Sequence, residues 1–297
     1  MEQLSLFSLE PKIVRATELL KSFEKTALSM SPNGYYLAFS GGKDSQVIYG
    51  LAKMAGVKFE AHYHLTTVDP PELVQFIRKE YPDVVISHPE KSMWQLIRER
   101  GFPPTRKIRY CCSDLKEQGG RGKFVITGVR WEESKRRQET RGEVEIVRPK
   151  APLILLNNDN DKRRRMLESC AISGKRILNP IIDWKDEDVW YFINHKVGVH
   201  CSLYDCGFSR LGCIGCPLAS IKKRKMELER YPKYDAAYLK AFERMLLERK
   251  KSKITEDAIW ETPEDVYRWW LYGPDKKEKQ MEGQLKLEWE EDMSLSA

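Results

Sequence analysis

Residues 35–52 constrain the fold of this chain more than any other stretch. Tyr35-Tyr36-Leu37-Ala38-Phe39 is an unbroken apolar run that reads as a buried strand. Ser40-Gly41-Gly42-Lys43-Asp44-Ser45 follows as a turn, and Gln46-Val47-Ile48-Tyr49-Gly50-Leu51-Ala52 then has helical apolar spacing. A glycine-rich turn between a strand and a helix start aims several backbone N–H groups at one point. The helix dipole adds partial positive charge there, so the spot suits a phosphate or pyrophosphate. Gly41 and Gly42 let the main chain approach the anion, Ser40 and Ser45 can donate hydroxyl hydrogen bonds, and Lys43 brings a formal charge. The spacing differs from the P-loop pattern, which places four residues between its first Gly and its Gly-Lys pair.

The rest of the chain alternates in kind. Residues 1–9 read as a loose tail, and 12–28 carry a helical stripe of Ile13, Ala16, Leu19, Leu20 and Phe23. Strands are expected at 58–65, 84–87, 123–130, 144–147 and 176–182. Helices are expected at 71–80, where Pro71 opens the first turn, at 92–100, closed by Gly101, and at 186–195. For the last of these Asp183 and Asp186 compete as caps. Alternation of this kind implies an α/β fold, a mostly parallel sheet with helices on both faces. Ligands on such sheets bind beyond the carboxyl ends of strands, where Ser40, Thr66 and Gly128 all fall. After Pro217 the composition shifts to long charged helices and then Trp260, Trp269 and Trp270, which read as core, with stacking on a nucleic acid as the alternative. This divides the chain into a domain of residues 1–220 and a helical C-terminal appendage of 221–297.

At 297 residues the chain can bury a full core, and 51 Lys+Arg against 44 Asp+Glu give a net charge of +7. The runs Lys162-Arg163-Arg164-Arg165 and Lys222-Lys223-Arg224-Lys225 suit either a nucleic-acid contact or solvated helix faces. No run approaches the roughly 20 apolar residues of a membrane span, and the N-terminus lacks a signal-peptide pattern. The chain is therefore expected to be cytoplasmic.

Seven cysteines include an adjacent pair, Cys111-Cys112, and a Cys-x-x-Cys, Cys213-Ile214-Gly215-Cys216. That layout points to a metal or cluster site in a reducing compartment rather than to disulfides. Four thiolates can bind zinc or an iron–sulfur cluster. Adjacent cysteines diverge, which suits the separate iron corners of a cubane better than one tetrahedral ion. A rival local set is Cys201, Cys206, Cys213 and Cys216. Cys170 reads as incidental, and His195 and His200 as surface or core residues near the cysteine loop.

Ser40-Gly41-Gly42-Lys43-Asp44-Ser45 resembles the pyrophosphate loop of the N-type ATP pyrophosphatases, the adenine nucleotide alpha-hydrolase-like superfamily that includes phosphoadenosine phosphosulfate reductases and several RNA- and DNA-thiolating enzymes. The resemblance implies that the loop binds ATP or adenylyl sulfate and that Asp44 helps to hold Mg²⁺. The split set Cys111, Cys112, Cys213 and Cys216 resembles the [4Fe–4S] signature of bacterial assimilatory adenylyl-sulfate reductases, and the local set would suit zinc or the cluster of a DNA-phosphorothioation sulfur-transfer subunit. Gly128-Val129-Arg130 with Ser134 and Arg137 is similar to the segment with which those reductases contact the sulfonucleotide, and 179–190 to their Asn-Pro-Leu…Trp…Asp-Val-Trp segment. The matches run in order over residues 35–220.

One departure bears on function. Sulfonucleotide reductases attack sulfur with a cysteine near the C-terminus, inside a Glu-Cys-Gly-x-His segment, whereas residues 217–297 hold no thiol. The expected activity is therefore ATP-dependent activation with release of pyrophosphate. Lys43, Asp44, Arg130 and Arg137 would be catalytic, and sulfur would be delivered through the cluster to a nucleic acid or a partner protein. The alternatives are a reductase of adenylyl or phosphoadenylyl sulfate, with thioredoxin or another reductant and Cys201 or Cys206 as nucleophile, and a non-catalytic redox-sensing subunit. A homodimer stays open, as does the choice of iron or zinc.

Overall fold

Strand β1 (Tyr35–Ala38) is the axis on which the first part of the molecule is built. In the computed structural model, which describes residues 2–116, 119–147, 154–156, 175–251 and 260–273, β1 pairs in parallel with β2 (Phe59–His64) on one side and β4 (Phe124–Ile126) on the other. Beyond β2 lies β3 (Val85–Ser87), and beyond β4 lie β7 (Lys175–Leu178), β5 (Val144–Val147) and β6 (Ile154–Leu156). The order β3-β2-β1-β4-β7-β5-β6 is parallel from β3 to β7, with β5 antiparallel to both of its neighbours. Because successive connections leave β1 in opposite directions, the crevice beyond the carboxyl ends of β1 and β4 is a topological switch point, where open α/β sheets bind ligands.

Helices lie on both faces of this sheet. Helix α1 (Glu2–Met30) buries Leu9, Ile13, Ala16, Leu20, Phe23 and Ala27, an apolar stripe at spacings of three and four. The sequence suggests a loose tail up to residue 9; instead the helix starts at Glu2, and Leu9 extends the stripe by one turn. Helix α2 (Lys43–Ala55) follows β1, and α3 (Pro71–Glu80) opens on Pro71 as expected. Strand β7 stops at Leu178, short of 182. There the Asn179 amide turns to donate to Gly142 O at 2.7 Å and Glu145 Oε1 at 2.8 Å, and Pro180 cannot extend a ladder. Helix α7 (Asp186–Phe192) runs into a wider turn over Ile193–Val197; neither Asp183 nor Asp186 caps it, since Lys185 holds the cap position and Asp188 accepts its N–H at 2.8 Å.

The chain divides into two compact units. One comprises Met1–Leu65, Asp69–His88 and Gln118–Gly212, and the other Thr66–Val68, Pro89–Glu117 and Cys213–Ala297. The second is helical: α4 (Met93–Arg100), α5 (Tyr110–Leu115), α8 (Ile221–Arg230), α9 (Pro232–Lys251) and α10 (Pro263–Tyr272). Its core joins Met93, Leu96 and Ile97 of α4 to Phe242, Trp260, Trp269 and Trp270, so the three tryptophans are core as read. The boundary expected at 220/221 falls inside this unit. Two segments from earlier in the chain complete its core, which the C-terminal helices would otherwise leave open. Cys170 and residues 162–165 lie outside the described residues. Among those described, no helix is long and apolar enough to cross a membrane.

Candidate functional site

The loop after β1 has the close backbone geometry that the glycines imply. Gly41 has φ +71°, and a Cβ there would lie 2.7 Å from both Ile77 Cδ1 and Leu73 Cδ1. Gly42 is the N-cap of α2 and offers no side chain to the first-turn amides. In α4, α6 (Lys135–Thr140), α8 and α10, by contrast, a Ser or Thr caps the helix. The first amides of α2 therefore face outward, where an anion can accept them. The Ser45 hydroxyl turns back to Gly42 O at 2.8 Å and lies 3.3 Å from Ser40 Oγ, so it braces the loop. Gln46 Nε2 donates to Gly41 O at 3.1 Å. One first-turn amide is taken: Lys43 N–H donates to the Tyr204 hydroxyl at 2.8 Å.

Arg130, only 3% exposed, organises the charges around this loop. Its Nε donates to Asp44 Oδ1 at 2.7 Å, Nη1 to Glu132 Oε2 at 2.8 Å and Trp184 O at 3.2 Å, and Nη2 to Asp186 Oδ1 at 2.8 Å. Lys43 Nζ reaches the same Asp186 oxygen at 2.8 Å. Burial alone would raise the Asp186 carboxyl's pKa, but Lys43 and Arg130 outweigh burial and hold it below the usual range. Gly128 sets the approach, since a Cβ there would lie 2.9 Å from the Asp44 carbonyl oxygen. The end of β4 and the first turn of α2 can therefore be this close only with glycine. Two cations and three carboxylates thus stand beside uncapped helix amides. The carboxylates could hold a divalent cation and the cations could take phosphate charge.

The structure brings Lys43, Asp44, Gly128 and Arg130 together and adds Glu132, Asp186 and Tyr204, which sequence reading does not group with them. Asp186 reads only as a competing cap, and a tyrosine 161 residues from its partner leaves no local signal. Ser134 and Arg137 sit one step away. Ser134 caps α6, accepting Arg137 N–H at 3.2 Å, and Arg137 pairs with Glu133, which also meets Arg210 at 3.2 Å. Burial, followed by the charges of Arg210 and Arg141, lowers the Arg137 guanidinium to about 10.

Thr66 belongs elsewhere than the sequence suggests. It is fully buried in the second unit, with Oγ1 3.4 Å from Cys213 Sγ. Cys111 is buried on α5, while Cys112, Cys213 and Cys216 are half-buried. The Cys111 thiol bonds to Cys112 and, with burial and the charges of Cys112, Cys213 and Cys216, is pushed well up. Cys112 accepts that bond and is pulled down against burial, helped by Arg109 and Lys116. The split set is therefore gathered in one unit. Cys201, buried, and Cys206, exposed, belong to the first unit. His195 Nδ1 lies 2.9 Å from Tyr191 O, and His200 Nε2 2.9 Å from Asp205 Oδ1. Among the described residues no three of His, Cys, Asp or Glu converge as the ligands of a single metal ion.

The Cys-x-x-Cys turn is held from several sides. Ile214 N–H donates to Val68 O at 2.8 Å, Gly215 N–H to Glu227 Oε2 at 3.0 Å, and Tyr238 Oη to Ile214 O at 2.9 Å. Gly215 has φ +71°, and a Cβ there would lie 2.9 Å from Trp270 Cη2.

Residues 34–219 match the phosphoadenosine phosphosulfate reductase domain, and the chain belongs to that family. It is 26% identical over 251 residues to the uncharacterized protein MJ0973 of Methanocaldococcus jannaschii, covering 78% of this chain and 55% of that one. To MJ0066 of the same organism it is 24% identical over 233 residues, covering 74% and 45%. The chain thus spans about half the length of these relatives. A 49-residue stretch, 16% of this chain and 19% of the relative, is 35% identical to the adenosine 5′-phosphosulfate reductase of Allochromatium vinosum. Among solved structures, Candida glabrata FMN adenylyltransferase is similar at TM-score 0.45 and 16% identity, covering 76% of this chain and 72% of that one. The phosphoadenylyl-sulfate reductase of Candida auris is similar at 0.42 and 16%, covering 67% and 87%.

Proposed function

We propose that the chain activates a substrate oxygen with ATP, releasing pyrophosphate, as the first half of a sulfur-transfer reaction. The observation that carries this reading is the charge cluster at the uncapped start of α2. There Lys43 and Arg130 share Asp186, and Arg130 also grips Asp44 and Glu132. The β- and γ-phosphates would lie on the loop amides and Lys43, with Mg²⁺ held by Asp44 and a second carboxylate released from Arg130. The freed guanidinium would then face the α-phosphate. As the substrate oxygen attacks, an O–Pα bond forms, the Pα–O bond to pyrophosphate breaks, and the leaving charge falls on Lys43 and the amides. A sulfide-level nucleophile would then displace AMP from the activated position, on a nucleic acid or a protein.

The residues of the second unit fit an iron–sulfur cluster by the chemistry of the donor set. Four thiols stand on a braced turn and a short helix of one unit, and Arg224 of the same unit is buried with two N–H groups that have no partner among the described residues. Cys111, Cys112, Cys213 and Cys216 would hold a [4Fe–4S] cluster, which when bound supplies one-electron or sulfur-carrying chemistry. A second reading, reduction of adenylyl sulfate, is favoured by one observation. Cys206 is exposed on the turn whose Tyr204 bonds the Lys43 amide. Anaerobic protein assayed separately with Mg²⁺-ATP plus candidate acceptors and with adenylyl sulfate plus a dithiol decides between them. Acceptor-dependent pyrophosphate release supports activation. Sulfite release, lost in Cys206→Ser, replaces it with the reductase, and nucleotide binding without turnover of either overturns both.

A further inference from the structure

The basic run Lys222-Lys223-Arg224-Lys225 is not one solvated face. Lys222 and Lys225 are exposed, whereas Arg224 turns inward and is 4% exposed. Its Nη1 donates to Trp270 O at 2.9 Å and Leu271 O at 3.2 Å, and its guanidinium lies 4.1 Å from the Trp270 ring centre. Among the described residues, Nε and Nη2 are buried with no hydrogen-bond partner. A buried cation with two idle donors needs an acceptor, and one that carries negative charge. Glu227, the nearby buried carboxylate on the same helix, is engaged elsewhere: Oε2 accepts Gly215 N–H at 3.0 Å and Oε1 pairs with Lys223 at 3.7 Å. The Trp270 ring under the guanidinium lies against the Cys-x-x-Cys turn, where a Cβ on Gly215 would come 2.9 Å from Trp270 Cη2, so Arg224 stands beside the turn that Glu227 and Tyr238 brace.

We propose that Arg224 is a positioning residue of the cluster site, its Nε and Nη2 donating to the thiolate and sulfide sulfurs of the group held by Cys111, Cys112, Cys213 and Cys216. This deepens the cluster reading above and rests on it. A four-thiolate [4Fe–4S] group is anionic and gains a further negative charge on reduction. A fixed cation with N–H···S bonds therefore stabilises the reduced form and raises the potential. Arg224 thus sets where the cluster is poised, while Lys222 and Lys225 stay in solvent.

The test uses the full chain, purified anaerobically, as wild type, Arg224→Gln and Arg224→Lys, with iron and sulfide counts and a redox titration followed by electron paramagnetic resonance. The expected result is equal iron in all three and a reduced-to-oxidised ratio in Arg224→Gln lower by about tenfold at fixed poise, ~59 mV for one electron. Arg224→Lys, which keeps the charge but not the fork, falls between. Should the Gln variant fail to accumulate folded, the Lys variant decides: a lower potential supports the assignment and an unchanged one overturns it. Loaded variants with the wild-type potential also overturn the role of Arg224 while leaving the cluster standing. Wild type without iron or sulfide overturns the cluster itself, and with it this proposal.

Discussion

Replacing Arg130 with glutamine should cost the first unit more stability than an ordinary surface charge deletion. The guanidinium is 3% exposed and bonds Asp44, Glu132, Asp186 and Trp184 O. The side chains of Glu132 and Asp186 are 46% and 53% exposed, so water recovers most of what they lose. The Asp44 side chain is 26% exposed, and the Trp184 carbonyl bond is buried. One charge-assisted bond of ~1.5–3 kcal/mol and one ordinary bond of ~0.5–1.5 kcal/mol sum to about 3 kcal/mol. For a unit of this size that is ~6–12 °C in Tm.

The loss should also depend on pH. Asp186 is held below its ordinary value, so its contribution is fully present above the unfolded carboxylate pKa of about 3.9 and disappears as pH falls through the lower folded value. Arg130 supplies part of that depression and Lys43 the rest, so the gap between wild type and Arg130→Gln narrows below about pH 4 without closing. Thermal and urea melts between pH 3 and 7 (roughly the window set by these values) measure both effects. A Tm change under about 2 °C at neutral pH, or a gap that widens on acidification, would refute the reasoning.

On the proposed ATP-binding reading, Gly128→Ala, whose Cβ would meet the Asp44 backbone, should cost the first unit ~1–3 kcal/mol and weaken Mg²⁺-ATP binding about tenfold by calorimetry, ~1.4 kcal/mol. Gly215→Ala forces a left-handed residue against Trp270; a loss of about 1–3 kcal/mol in the unfolding of the second unit is expected, read by tryptophan fluorescence. Tyr204→Phe keeps the ring packed 4.9 Å from Trp190 but frees the Lys43 amide for phosphate. Its Kd for Mg²⁺-ATP should fall about fivefold, and a rise would mean that the hydroxyl itself holds the nucleotide.

The strand-loop-helix at residues 35–55, the parallel sheet and the grouping of Lys43, Asp44, Gly128 and Arg130 were all legible from the chain. The first two depend on local pattern, an apolar run and a glycine turn, whereas the grouping with Gly128 and Arg130 came from the family resemblance. The limits of that legibility show in particular residues. Thr66 follows β2 as Ser40 follows β1, yet its side chain is buried beside Cys213, because position along the sequence says nothing about which core claims a side chain. Arg224 stands among lysines in a run that looks uniformly solvated, and the helical turn alone points it inward. Asp186 and Tyr204 reach the loop from 143 and 161 residues away in the chain.

What the sequence determined by itself is the set of chemistries available: a glycine turn at an uncapped helix start, charges to surround it and four thiols in two clusters. Only the tertiary structure decided their allocation. The 89–117 segment carries Cys111 and Cys112 into the core of the C-terminal helices, because Met93, Leu96 and Ile97 need the apolar cover that those helices supply. Hydrophobic burial has no directional code in the sequence, so the partition of residues between two cores emerges only when the whole chain is packed.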